Sequence, residues 1–258
     1  MAPDVSISVS PTLGELQPSM TLGITSKAKA MIAAGEDVAS MCAGEPDFDT
    51  PEYIKDAAVR ALRAGETKYT PAVGRLDLRE AIAEKLMREN NVPCEAPNVV
   101  VAPGAKFSVF SAIVTLCSPG DEVLLIAPYW LSYEQMVRAA GARPVVVHAT
   151  AENDLCATAE QLAEHVTDRT KLLVLNSPSN PAGSVYSRER LEAIGRLAVE
   201  RNFMVLSDEI YEKLVYEEEH EHVSIGSLGA DIHAHTITVN GFSKAYSMTG
   251  WRLGYLAA

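Results

Sequence analysis

Thr236-Ile237-Thr238-Val239-Asn240-Gly241-Phe242-Ser243-Lys244-Ala245, then Thr249-Gly250-Trp251-Arg252-Leu253-Gly254, is the stretch around which the chain is organised. The β-branched run Thr236 to Val239 reads as a buried strand. The Asn-Gly pair after it predicts a tight turn, and the turn delivers one lysine, Lys244. A lysine at the end of a buried strand is held partly neutral by desolvation, and a neutral amine can form a Schiff base. Arg252 follows between two glycines, Gly250 and Gly254, that allow close backbone approach. Its planar fork of donors suits a phosphate. Taken alone, the pair also reads as a surface lysine and a salt-bridged arginine.

The rest of the chain narrows that choice. Strands are expected at 98–102, 122–127, 144–148, 171–176, 203–207 and 236–240, alternating with helical stretches. Each is a continuous apolar run, the pattern of a strand buried on both faces. Thr158 and Gln161 form a capping box, and Ser187 precedes an apolar stripe of Leu191, Ile194 and Ala198. Such alternation predicts an α/β fold, a mostly parallel central sheet with helices on both faces. Before it come a proline-containing arm over residues 1–20, a helix from Thr21 to Ala34, and a strand from Val38 to Cys42. A turn-rich loop then ends in Thr50 as N-cap and Pro51 as first helical residue.

In open α/β sheets ligands bind beyond the carboxyl ends of the strands. The residues expected there are Gly104-Ala105-Lys106, Trp130, Asn176 to Gly183, Asp208, Tyr211 and Lys244. Gly104-Ala105-Lys106 opens a helix, whose free amides are a phosphate site or an ordinary strand–helix turn. Trp130 is a core residue or a stacking platform. Asp208 closes the apolar run Phe203 to Ser207, and a carboxylate there needs a partner. A protonated pyridine nitrogen, a salt bridge or a helix cap would each serve. An amine, a phosphate cradle and a carboxylate at one sheet edge together suggest pyridoxal 5'-phosphate, an aldehyde that carries a phosphate.

With Asn180-Pro181-Ala182-Gly183 and Ser207-Asp208-Glu209-Ile210-Tyr211, the Lys244–Arg252 segment resembles the class I/II pyridoxal-phosphate-dependent aminotransferases of fold type I. It is most similar to the aspartate and glutamate/aspartate-prephenate subgroup, from about Pro18 to the last residue. The resemblance implies that Lys244 is the catalytic, cofactor-bearing amine. It gives the phosphate to Gly104, Ala105, Lys106 and Arg252, with Tyr69 reaching the phosphate of a neighbouring subunit. Trp130 would stack on the ring, Asp208 would pair with the ring nitrogen, and Asn180 and Tyr211 would bond the ring hydroxyl. Gly44, Lys106, Trp130, Asn180 and Thr21 would meet substrate, Lys106 and Thr21 at its distal carboxylate. Gly241 stands where many relatives carry a phosphate-binding serine. Glu209 is not expected to reach the ring.

The implied reaction is transamination between aspartate or glutamate and a 2-oxo acid, with prephenate as a further acceptor, in a homodimer with shared active sites. Another fold-type-I enzyme, a carbon–sulfur or β-lyase, and a non-catalytic fragment are the alternatives. Residues 1–45 are expected to form the arm and part of a small domain, and 46–258 the cofactor-binding large domain. The resemblance implies a further C-terminal part beyond Ala258, carrying an arginine for the substrate α-carboxylate.

Composition agrees with a globular enzyme. Hydrophobic residues make up 47% and charged residues 22% of the 258, and the net charge of −12 disfavours nucleic acid or anionic membrane as partner. The four cysteines, Cys42, Cys94, Cys117 and Cys156, form no C-x-x-C pair, so reduced thiols in a reducing compartment are expected, with Cys94 exposed. The six histidines show no metal spacing, and His220 and His222 read as part of a solvated acidic loop. No run approaches a membrane span and no signal peptide is evident, which predicts a cytoplasmic protein, or an organellar one if a transit peptide has been removed.

Overall fold

The computed structural model describes residues 10, 14, 16, 20–42, 44–216 and 221–258, with backbone alone for residues 20–22. Helices α1 (Met20–Ala33), α2 (Glu52–Arg63) and α3 (Leu76–Asn90) lead into the sheet. Strand β1 (Val99–Ala102), helix α4 (Ala105–Leu116), β2 (Glu122–Ala127), α5 (Ser132–Ala139), β3 (Arg143–His148), α6 (Ala159–Ala163) and β4 (Thr170–Asn176) follow. Then come α7 (Arg188–Arg201), β5 (Met204–Asp208), α8 (Ala230–Ala234), β6 (Thr236–Gly241) and β7 (Gly254–Ala257).

The sheet has seven strands in the order β1-β7-β6-β5-β4-β2-β3. β2 to β6 pair in parallel, and β7 runs antiparallel to both β1 and β6. Because only β7 is reversed, the residues just before it lie at the edge where all the other strands end. That reversal brings Arg252 beside Lys244.

The apolar strands are buried on both sides, as their composition requires. Val123, Leu125, Leu172, Val174, Leu206 and Val239 pack against Val109, Ile113, Met136 and Val137 of α4 and α5. Their strand neighbours Leu124, Leu173, Leu175 and Val205 pack against Leu162, Leu191, Ile194 and Ile232 of α6, α7 and α8. Full burial of one such side chain is worth roughly 1.5–3 kcal/mol, which makes this two-faced core the main source of stability. A third cluster sets Ile82, Ala83 and Leu86 of α3 on Val99, Tyr255 and Ala257.

Several local expectations differ from the structure. Residues 38–42 form no strand. Asn240-Gly241 is not a turn: β6 continues through Gly241, whose partner Gly254 extends the ladder, and the turn comes at residues 243–247. Pro51, not Thr50, is the N-cap of α2, without a side-chain bond; the Thr50 hydroxyl instead donates to the Ser247 carbonyl at 2.5 Å. Cys94 is buried against α3, and all four cysteines are free thiols. Among the described residues no helix is long and apolar enough to cross a membrane.

One glycine sets the seam between sheet and helix. A Cβ on Gly254 would lie 2.3 Å from the Ala105 backbone nitrogen and 2.6 Å from the Gly104 carbonyl carbon. Backbone cannot swing aside as a side-chain tip can, so Gly254→Ala must push β7 away from the first turn of α4. The expected cost is on the order of 3 kcal/mol, seen as a fall in Tm of roughly 5–10 °C. An unchanged Tm in that variant would show that the seam is slack.

Candidate active site

Along the sheet edge, a cavity of about 410 Å³ is lined by residues from five strand ends and the 42–44 segment: Gly44, Lys106, Trp130, Asp208, Lys244 and Arg252 among them. The adjacent strands β4 and β2 are where the chain direction of sheet growth reverses, the usual place for a ligand crevice.

Asp208 is the buried end of the cavity. It follows Leu206 on the α4/α5 face and is 3% exposed. Its Oδ2 accepts from the Tyr133 hydroxyl at 2.6 Å, and its Oδ1 accepts from the Ile210 amide at 3.3 Å. Burial nevertheless pushes its carboxyl up to about 6, because these two bonds and no cation offset the lost water. The same burial, with Asp208 beside it, raises Tyr133 well above its ordinary range, so the phenol stays a donor.

Lys244 stands on the neighbouring strand end. Its Nζ donates to the Gly44 carbonyl and lies 5.7 Å from the Tyr211 ring centroid. Burial lowers its pKa and Arg252 adds to that, with Glu45 opposing. Tyr211 is raised by burial and by Asp208, and its hydroxyl accepts from Asn180 Nδ2 at 3.4 Å. Asn176 ties the β4 and β5 ends together: its Nδ2 donates to the Asp208 carbonyl at 2.8 Å, and its Oδ1 accepts from the Asn180 amide at 2.8 Å. Trp130 meets Tyr133 edge-on at 5.3 Å, and Lys106 Nζ lies 5.1 Å from the Trp130 ring centre.

Arg252 and the start of α4 make a cradle. Arg252 adopts a left-handed backbone, φ 54°, and its Nη1 donates to Thr249 O at 2.7 Å. Gly104 has φ +91°, and a Cβ there would lie 2.5 Å from Arg252 Nη2. Only glycine lets the guanidinium sit over the free amides of the α4 N-terminus, a cationic, donor-rich pocket of the kind that takes phosphate. A Cβ on Gly241 would crowd Gly254 Cα at 3.1 Å and Ile210 Cδ1 at 3.2 Å, so the position has little room for a serine.

The donor set thus fits pyridoxal phosphate: a phosphate cradle, an amine with a lowered pKa, and a buried carboxylate without a cation. Gly104, Ala105, Lys106, Trp130, Asn180, Asp208, Tyr211, Lys244, Arg252 and Gly44 are all at or beside the one cavity. Tyr69 is not; it is fully exposed. Thr21 lies in the range of α1, but its side chain is outside the described residues. Tyr133 was not expected from the sequence, and Asn176 was expected at this edge without a role of its own. Asn176 carried the signal that marks Asp208, a polar residue closing an apolar strand, and Tyr133 falls three residues after Trp130.

The histidine reading needs correction. His220 lies outside the described residues, whereas His222 is not solvated: it is half-buried, with Nε2 3.1 Å from Glu209. Glu209, Glu212 and His222 place ligand-type atoms within 4.8 Å of one another, and Lys85 and Asn90 already bond Glu212.

Known proteins resemble this chain in sequence and in fold. Residues 36–258 match the family "Aminotransferase class I and II". The chain is 48% identical over 242 residues to the aspartate aminotransferase of Bacillus sp. (strain YM-2), covering 94% of this chain and 62% of that one. It is 49% identical over 245 residues to a probable aspartate/prephenate aminotransferase of Aquifex aeolicus, covering 95% and 62%. The solved aspartate aminotransferase from Thermus thermophilus with maleate superposes with a TM-score of 0.94 at 45% identity, over 98% of this chain and 65% of that one. The chain therefore spans a little under two thirds of the length of these relatives. Fold, sheet-edge residues and sequence agree: the chain belongs to the class I and II aminotransferases.

Proposed function

We propose that this chain is the large part of a pyridoxal-phosphate-dependent aminotransferase acting on aspartate or glutamate and a 2-oxo acid, prephenate included. The observation that carries the reading is that the Asp208 carboxylate and the Lys244 amine face one cavity from adjacent strands. When bound, the cofactor supplies an aldehyde for amines and a ring that takes up the electron pair left when Cα loses its proton.

The chain's own residues do the rest. Arg252 and the α4 amides hold the phosphate, Trp130 supports the ring face, and Asn180 and Tyr211 bond its hydroxyl. Asp208 would favour a protonated ring nitrogen, and it is suited to this because its partners among the described residues, the Tyr133 hydroxyl and the Ile210 amide, include no cation. Lys244 Nζ would be the amine that carries the cofactor's aldehyde and, when free, would take the proton from substrate Cα and return one. Burial lowers its pKa, which eases loss of its proton for that role. Lys106, exposed at the cavity mouth, meets the distal carboxylate of the substrate, with Thr21 as its companion and Gly44 contributing backbone.

Dimerisation fits the surface near Tyr69. Met41, Phe48, Tyr53, Leu62 and Tyr69 are all strongly exposed, and α2 has no buried residue, so a second copy that brings its own Tyr69 to this cavity would cover them. Residues 1–45 are proposed to form the arm and part of a small domain, and 46–258 the cofactor-binding large domain. Four free thiols fit a reducing, cytoplasmic setting.

The test is a single half-reaction. The protein loaded with pyridoxal phosphate and given aspartate is expected to lose its lysine-bound visible absorbance and release one oxaloacetate per bound cofactor. Bound cofactor without any oxaloacetate would refute transamination of acidic amino acids.

A further inference from the structure

Directly behind Asp208, on the opposite face of the sheet, lies a second carboxylate that the mechanism above does not use. Glu209 is completely buried. Its Oε1 accepts from Ser207 Oγ at 2.9 Å and from Ser224 Oγ at 2.6 Å; its Oε2 is 3.1 Å from His222 Nε2 and 3.5 Å from Asn90 Nδ2. Its amide donates to Val239 O at 2.8 Å and its carbonyl accepts from the Glu212 amide at 3.0 Å. Its side chain thereby joins the β5 end, the 222–224 segment and the end of α3, while its backbone bonds β6 and the turn that carries Tyr211.

Such a carboxylate is costly to bury, and the fold offers cheaper ways to pack a strand end. Among the described residues its only ion-pair partner is His222, and no lysine or arginine reaches it. Lys85 is one link further away, bonded to Glu212 and to Asn90 Oδ1. The groups facing Glu209 are thus His222, Glu212 through Asn90, and Lys85 behind them, while Tyr255 of β7 feels both carboxylates. On the other face Asp208 sees Tyr133 from α5 and Tyr211. A carboxylate one residue behind Asp208, in a dry interior, opposes a negative charge on Asp208 unless a cation arrives.

We propose that Glu209 is a positioning residue for Asp208: its bonds to Ser207, Ser224, His222 and Asn90 hold the β5 end so that Asp208 faces the cavity, and a carboxylate behind it favours a cationic partner there. The influence of Glu209 on Asp208 runs in that direction. The proposal rests on the reading above only where turnover is measured.

The experiment compares the parent with Glu209→Gln, which keeps the size and the acceptor oxygen but removes the charge. In protein free of cofactor, the Asp208 carboxyl is titrated by carboxyl NMR, with Asp208→Asn to assign the signal. The midpoint in Glu209→Gln is expected to fall below that of the parent. In loaded protein kcat is expected to drop about tenfold with KM for aspartate within about twofold, and Glu209→Asp, which keeps the charge, to recover most of both. An unchanged Asp208 midpoint in folded Glu209→Gln overturns the proposal. Should Glu209→Gln not fold, Glu209→Asp decides: it must keep the parent midpoint, and a shifted one overturns the proposal. A shifted midpoint in a protein that never transaminates would support this inference and count against the functional reading alone.

Discussion

Lys244→Ala is expected to lose the visible absorbance of lysine-bound pyridoxal phosphate and to lower turnover with aspartate by roughly ten-thousand-fold or more. The size follows from the double use of one nitrogen. It anchors the cofactor and it carries the Cα proton, so alanine removes both. No other amine can substitute: Lys106, which also lines the cavity, sits over Trp130, and Arg252 is held at the cradle by Thr249. The fold should survive, because the lysine's contacts are one bond to Gly44 and a ring contact with Tyr211. The linkage has a definite sign. A lysine whose folded pKa is depressed costs stability while it is protonated, and the cost disappears as pH rises past its ordinary value near 10.5. Alanine removes that cost, so at neutral pH the variant should be no less stable than the parent without cofactor. Lys213→Ala, which breaks a surface pair with Glu89, is the control and should leave absorbance and turnover intact. Parent-level turnover in Lys244→Ala would remove the basis of the mechanism.

Much of this was legible in the sequence because strand ends are where chemistry must sit. An apolar run has to be buried, and the polar residue that closes it marks the sheet edge; Asp208 was found that way, and Asn180 and Lys244 follow shortly after the strand ends at Asn176 and Asn240. The capping box at Thr158 and Gln161 formed as expected, with both reciprocal bonds present, since it depends only on residues three apart. What stayed illegible depends on distant partners. Asn240-Gly241 looks like a turn until β7 comes back to pair with it, fifteen residues later in chain order. Thr50 looks like a cap until Ser247 takes its hydroxyl. Cys94, flanked by proline and glutamate, gave no hint that α3 would cover it. Glu209 and His222 are the clearest case: Glu209 was expected only to miss the ring and His222 read as part of a solvated loop, and only the fold shows that they meet inside.

The second large effect is expected at Asp208, and it changes sign with the cofactor. Without cofactor, Asp208 is a buried acid whose pKa rises from an ordinary 3.8 to about 6. A raised carboxyl costs stability: the cost is absent below about 4, grows as pH rises to about 6, and is fully present at neutral pH. A shift of about two units corresponds to at most ~3 kcal/mol. Asp208→Asn cannot ionise, and its side-chain oxygen still accepts from Tyr133, so the cofactor-free variant should be more stable than the parent at pH 7 and match it near pH 4. With cofactor the order reverses. A protonated pyridine nitrogen gives the aspartate the cation it lacks, whereas asparagine offers only a neutral contact, so the variant should bind the cofactor more weakly and gain less stability from it. Turnover should fall by roughly 10²–10³-fold or more, the usual effect of removing one charge-stabilising group from a dry site. Calorimetry of parent and variant at pH 4 and pH 7, each with and without pyridoxal phosphate, gives all the comparisons needed. A variant equally stabilised by the cofactor would mean that the ring nitrogen does not face Asp208. A variant no more stable than the parent at pH 7 without cofactor would mean that the aspartate is not strained by its burial, and that the protein does not hold this carboxylate in waiting for a cation.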